Sequence, residues 1–179
     1  MEANKYHVTA CLQDGAPIVV RAINPRDGDS LRQQFVHLSA ESVRLRFHGL
    51  RRSPNESEVM HLTEVDFAEH VALVATLGVR PEQLIGVGRY ICGHGPRDHR
   101  AEVAFVVLDE YQGKGVGSIL LQHLAIIGRA QGLREFQADV LAENSRMLGV
   151  FERSGFPITR ATELGVVTVL LTIAGAPAA

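Results

Sequence analysis

The stretch that decides the fold is Ala101-Glu102-Val103-Ala104-Phe105-Val106-Val107-Leu108, then Asp109-Glu110-Tyr111, then Gln112-Gly113-Lys114-Gly115-Val116-Gly117-Ser118. The first part is an apolar, β-branched run with one carboxylate near its start, which reads as a buried strand. The last part carries three glycines on alternate positions. That spacing strips every Cβ from one side of a turn, so backbone N–H groups can approach a ligand directly. From Val116 the period changes. Val116, Leu120, Leu124 and Ile127, with Ile119 alongside, make one helical stripe that Gly132 ends. Gly128 inside this helix costs about 1 kcal/mol relative to alanine, a cost that close packing would explain. A helix starting at the glycine turn adds its own unpaired N–H groups and about half a positive charge of dipole. The N–H groups of Gly113, Lys114, Gly115, Val116, Gly117 and Ser118 then form a nest for phosphate, with the charge of Lys114 beside it.

Several nucleotide folds use a strand, a glycine turn and a helix. A P-loop is excluded, because no glycine stands five residues before a Gly-Lys-Ser/Thr triplet. The Rossmann fingerprint is nearer: Gly113 and Gly115 fit its first two positions, Ser118 takes the third, and Asp139 lies near the place of a ribose-binding acid. Its placement argues against it. A dinucleotide domain opens with this unit and then repeats strand and helix, whereas only about 40 residues follow Asp139 here.

Gln112, Gly115 and Gly117 resemble the pyrophosphate signature Gln/Arg-x-x-Gly-x-Gly/Ala of the GNAT superfamily of acyl-CoA-dependent N-acyltransferases. Asn144 and Arg153-Ser154-Gly155-Phe156 are similar to the second CoA-binding segment of that superfamily. Ser39-Ala40-Glu41-Ser42, Arg46-Phe47, Thr63-Glu64-Val65-Asp66-Phe67, His70-Val71-Ala72-Leu73-Val74 and Ala101-Glu102-Val103-Ala104-Phe105 look like the acetyltransferase domain of Pat-type protein lysine acetyltransferases. Val140-Leu141-Ala142-Glu143-Asn144 and Met147-Leu148 extend this likeness, which runs from about Ile18 to Ile173. It implies an α/β (α+β) GNAT fold: a mixed, mostly antiparallel sheet of about six to seven strands, splayed between the fourth and fifth, with about four to five flanking helices.

Length and composition agree with one domain over 1–179, its core at about 18–173. At 179 residues and 46% hydrophobic, the chain can bury one core and is short for two. A net charge of −2 argues against bulk nucleic-acid binding. Cys11 and Cys92 make neither a metal pattern nor a disulfide framework. Without an apolar run of about 20 residues or a secretion signal, neither a membrane span nor export is expected, and the location expected is cytoplasmic.

Along the chain, the structure of Met1–Gly15 stays open. Ile18–Ile23 alternates into a first strand, and Asn24-Pro25 reads as a capped helix start. Leu31, Phe35 and Leu38 give that helix a buried side, Ser39 caps a second helix, and Ser53-Pro54-Asn55-Glu56 reads as a capping box for a third. Arg44, Arg46, Arg51 and Arg52 make either a solvated basic face or an attraction for CoA phosphates or an acidic protein surface. His37, His48, His61, His70, His94 and His99 lack metal-ligand spacing, so no metal is expected. Val71–Leu77, Leu84–Ile91 and Glu102–Leu108 form a meander. The motif helix crosses over to Phe136–Leu141, parallel to the strand before it. A helix from about Ser145 to Ser154 and a strand over Val166–Ile173 follow.

By the resemblance, the splayed strands hold pantetheine, with Phe105, Val106 and Val107 supplying backbone contacts and an N–H polarising the thioester carbonyl. Asn144 bonds the lower arm of CoA or caps the following helix. Many members carry a tyrosine seven residues after this asparagine; here it is Phe151, which cannot protonate the leaving thiolate and is expected to pack as core. That loss keeps a non-catalytic CoA-binding sensor in view. Glu102 and Asp139 compete as general base. Glu102 shares a strand face with Ala104 and Val106, three residues before the expected thioester segment, and the Pat-type resemblance also places a catalytic glutamate there. The activity implied is transfer from acetyl-CoA to an amine. The acceptor expected is a protein lysine, an acyl-CoA synthetase being one candidate, with small-amine or N-terminal acetylation as the alternative.

Overall fold

A computed structural model of the chain describes residues 2–47, 53–78, 82–93 and 99–175. Among the described residues, eight strands form one sheet: β1 (His7–Cys11), β2 (Pro17–Ala22), β3 (His70–Leu77), β4 (Gln83–Cys92), β5 (Arg100–Val107), β6 (Glu135–Leu141), β7 (Ile158–Glu163) and β8 (Val166–Thr172). The order is β1-β2-β3-β4-β5-β6-β8-β7, antiparallel throughout except for the β5–β6 pair. The mixed, mostly antiparallel α/β class is the one expected; the strand count is one or two higher. The additional strands are the two edges, β1 and β7. β1 alternates between exposed and half-buried residues, and β7 is exposed after Ile158. An edge strand that covers little core carries no apolar run, so periodicity passes over it.

Five helices among the described residues flank the sheet: α1 (Gly28–His37), α2 (Ala40–Phe47), α3 (Glu56–Thr63), α4 (Val116–Ala130) and α5 (Ser145–Glu152). On one face α4 buries Val116, Leu120, Leu124 and Ile127, as its stripe requires, together with Leu121 and Ala125. At Gly128 α4 packs closely, as its glycine suggests: an added Cβ would lie 3.2 Å from the Phe136 ring and 3.3 Å from Ile173 and Leu133. The other face is covered by α1 and α3, over a smaller cluster of Ile23, Leu31, Ala72, Val74, Leu84 and Val87.

Local signals held with two shifts. Asn24 caps a 3-10 turn, Pro25–Asp27, and α1 begins only after it. The capping box of α3 is Asn55 with Glu58, at 2.9 and 2.8 Å, and not Ser53 with Glu56. Pro54 therefore precedes the helix, since an extended residue at the cap leaves the first helical turn to Glu56. Ser39 caps α2 as expected, its Oγ accepting from the Ser42 N–H at 3.2 Å. His48, Arg51, Arg52 and His94 lie outside the described residues.

The feature that positions the site is the β5–β6 pair. It holds only Arg100 to Glu135, Ala101 to Phe136 and Glu102 to Gln137. β5 stays paired with β4 as far as Val107, and β6 with β8 as far as Leu141. The sheet therefore opens from Glu102 and Gln137 onward, and Val103–Val107 and Ala138–Leu141 face each other without pairing.

Candidate active site

The opening between β5 and β6 is a cleft of about 960 Å³, a volume at the upper end for ligand sites. Its walls are the two strand edges, its upper rim the glycine turn and the start of α4, its sides α2 and α5. Phe105, Val106 and Val107 line it from β5, with Glu102 at the vertex. Gln112, Gly113, Gly115, Val116, Gly117 and Ser118 line the rim, and Asn144 lies on the α5 side. Thus the cleft gathers every expected site residue except Lys114. The Lys114 ammonium lies 3.8 Å from Asp14 and 5.1 Å from the centre of the Tyr111 ring.

The turn has the backbone that its glycines permit. Gly113 and Gly115 have φ of +77° and +95°, in the left-handed region. The obstacle to a side chain at Gly115 is protein: a Cβ would lie 3.3 Å from Cγ of Gln13. Gln13 belongs to the β1–β2 connection, which docks on the turn through the Gln13 N–H donating to the Lys114 carbonyl at 3.0 Å.

Side chains tie the two sides of the mouth together. Nε2 of Gln112 donates to Ser42 Oγ, to the Val107 carbonyl and to Asp109 Oδ1 at 3.0, 3.2 and 3.1 Å, while its Oε1 accepts from Arg146 at 2.7 Å. Asp109 also accepts from the Ser39 N–H at 2.8 Å and from the Ser42 hydroxyl. Burial pushes the Asp109 carboxyl up, but the bonds from Ser42 and Ser39 and the charge of Arg146 outweigh it and leave it below the ordinary aspartate value. On the far side Arg44 pairs with Glu143. Pattern reading missed Gln13, Ser42, Asp109 and Arg146 because their partners are remote in sequence. Only the Pat-like run at Ser39–Ser42 pointed near them.

The two carboxylates differ. Glu102 is exposed and makes no hydrogen bond or ion pair to any described residue. Asp139 also lines the cleft, but its Oδ1 accepts from the Thr168 hydroxyl on β8 at 2.7 Å. Asn144 caps α5, accepting from the Met147 N–H at 3.1 Å. Phe151 is 1% exposed and packs its ring 6.2 Å from that of Phe105, as a core residue does. Among the described residues no group of three His, Cys, Asp or Glu side chains could hold a metal, and no helix is long and apolar enough to cross a membrane.

The acetyltransferase (GNAT) family pattern matches residues 39–156. The acetyltransferase Pat of Mycolicibacterium smegmatis is 33% identical over 156 residues, which are 87% of this chain; the chain spans 46% of that protein's length. An acetyltransferase of Pseudomonas aeruginosa is 28% identical over 153 residues, 84% of this chain and 80% of its own. The crystal structure of the GNAT domain of S. lividans PAT superposes with a TM-score of 0.84 at 35% identity, over 93% of this chain and 96% of that one.

Proposed function

The chain belongs to the acetyltransferase (GNAT) family and is an acyl-CoA-dependent acetyltransferase; on that premise we propose that it acetylates protein lysine side chains, with Glu102 as general base. The observation that carries the reading is the vertex of the splay. β5 and β6 part immediately after Glu102 and Gln137. A pantetheine arm laid along the unpaired edge at Phe105–Val107 would bring its thioester to that vertex, beside Glu102, which of the two competing carboxylates is the one without a hydrogen bond to any described residue. The glycine turn, with Gln112 and Gly113 to Ser118, would take the pyrophosphate on its N–H groups, and Asn144 the lower arm.

The chemistry follows in balanced steps. A lysine amine is protonated at neutral pH; with an ordinary pKa near 10.4, about one molecule in a few thousand is nucleophilic at pH 7. Glu102 takes the ammonium proton, directly or through a water, and the freed amine attacks the thioester carbonyl. As the C–N bond forms, the carbonyl π electrons move onto oxygen, where a backbone N–H of β5 would donate a hydrogen bond to the developing charge. Collapse breaks the C–S bond and releases the thiolate of CoA; the newly bonded nitrogen gives up its second proton, which through water protonates that thiolate and leaves a neutral amide, and Glu102 returns the first proton to solvent. A thiol is acidic enough that departure without the missing tyrosine costs little.

Turnover of acetyl-CoA against a panel of acyl-CoA synthetases, lysine peptides and polyamines tests this reading. Glu102→Gln is expected to keep acetyl-CoA binding and to lose about 10²–10⁴ in turnover. Normal turnover in Glu102→Gln with loss in Asp139→Asn moves the base to β6. Acetylation confined to polyamines sinks the lysine reading, and no turnover with any amine leaves a binding module.

A further inference from the structure

The face of the sheet that carries Glu102 holds a second feature the chemistry above does not use. β4 is buried along seven consecutive residues, Leu84–Tyr90, and then presents Ile91 at 42% exposure. The register places Ile91 directly opposite Glu102 on β5 and directly opposite His70 on β3. Residues paired across neighbouring strands project to the same face, with Cβ atoms about 4.5–5.5 Å apart. His70, Ile91 and Glu102 therefore form one row across three strands, on the face covered elsewhere by α1 and α3.

The row is neutral until it reaches Glu102. The His70 ring stacks against that of His61, with centroids 5.7 Å apart. Nε2 of His70 lies 3.1 Å from Nη1 of Arg89, and because a guanidinium only donates, Nε2 is the acceptor and carries no proton. Burial, the charge of Arg89 and that of His61 hold His70 down at about 4, so the ring is uncharged at pH 7. Arg89 is itself turned inward, 8% exposed, with Nη1 on the Leu62 carbonyl at the end of α3. An incoming cation thus meets an isoleucine and a neutral imidazole first, and a carboxylate at the end.

The geometry points to an acceptor shelf: the aliphatic stem of the substrate lysine lies over Ile91, beside His70, and its amine ends at Glu102. A lysine has a flexible four-carbon stem below its ammonium. Such a stem spans the one strand spacing, about 4.8 Å, that separates Ile91 from Glu102. The stem of a shorter amine acceptor leaves Ile91 uncovered. The shelf rests on the lysine reading above and adds to it how stem length is sensed, and from which face of the sheet the acceptor arrives.

Thiol release from acetyl-CoA with four peptides tests it, identical except for lysine, ornithine, diaminobutyrate or diaminopropionate at the acceptor position. In the wild-type protein kcat/KM is expected to fall about threefold to fourfold for each methylene removed. Ile91→Ser is expected to raise KM for the lysine peptide about tenfold and to flatten that dependence, with kcat and acetyl-CoA affinity held; Ile91→Leu restores it. An unchanged lysine KM in Ile91→Ser overturns the shelf, and so does a KM raised equally for all four peptides. If Glu102→Gln is inactive in the same series, the base assignment survives that result. If the wild-type protein acetylates polyamines and no lysine acceptor, both the lysine reading and the shelf fall.

Discussion

The roles proposed for Glu102 and Gly115 rest on different forces, and each makes a separate expectation. Glu102 makes no hydrogen bond or ion pair to any described residue, and the contribution of a base depends on how much of the acceptor is still protonated. As pH rises toward the lysine pKa of about 10.4, free amine accumulates without help from a base. The deficit of Glu102→Gln should therefore shrink from pH 7 to pH 9.5, a profile measurable with one lysine peptide. A deficit constant across that range would mean that Glu102 holds the acceptor and does not move its proton. Gly115 is constrained by backbone. At φ +95° a β-branched residue is strained, and its Cβ would press on Gln13 at 3.3 Å. Gly115→Val should cost about 1–3 kcal/mol of stability. It should also weaken acetyl-CoA binding, because the turn can no longer aim its N–H groups. Calorimetry showing unchanged acetyl-CoA affinity in the folded variant would remove the pyrophosphate from this turn.

At the scale of elements, the CoA contact proposed for Asn144 would share its side chain with a structural role at the start of α5. Asn144 accepts from Met147 N–H and so satisfies one of the four N–H groups that a helix leaves open at its start. Asn144→Ala should lower stability by about 1 kcal/mol, while Asn144→Asp, which still caps, should restore stability. If Asn144 also bonds CoA, the aspartate variant keeps a weakened acetyl-CoA affinity after its stability has returned. Equal affinities in Asn144→Asp and wild type would leave the cap as its sole role. Phe151, next to the last residue of α5, is buried against Phe105. Phe151→Leu should destabilise by about 1–3 kcal/mol with turnover within a few-fold of wild type. A folded Phe151→Leu protein with a thousandfold lower turnover would give the ring an active-site role.

For the whole molecule the informative variable is pH, through two half-buried histidines. His70 is lowered to about 4 by burial, Arg89 and His61, and His123, bonded to the Tyr6 hydroxyl at 2.6 Å, is lowered by burial. In the unfolded chain both protonate near 6.5. Below that pH the unfolded state binds protons that the folded state refuses. Stability present above pH 6.5 is therefore lost as pH falls toward 4. For His70, half-exposed and screened by solvent, the loss is on the order of 1 kcal/mol. Urea unfolding midpoints at pH 7.5 and 4.5 should differ accordingly, and His70→Asn should reduce the difference. An unchanged slope in that variant would assign the acid loss to other groups.

What the amino-acid sequence determined by itself was everything written in local periodicity and backbone chemistry. The short apolar run Val71–Leu77, the stripe Val116–Ile127 and the alternate glycines at 113, 115 and 117 specify strand, helix and turn through contacts made within a few residues. The parallel return of Phe136–Leu141 follows from the crossover rule. The edge strands β1 and β7 were illegible for a physical reason: strands half-solvated or exposed on both sides have no hydrophobic pattern to show. The side-chain ties were illegible for another. Lys114 turns to Asp14, Gln112 to Ser42 and Arg146, and Arg44 to Glu143, across separations that only the tertiary fold removes. The row of His70, Ile91 and Glu102 is of the same kind. Register sets which side chains share a face across three strands, and register is settled by the pairing of whole strands, not by the residues of any one.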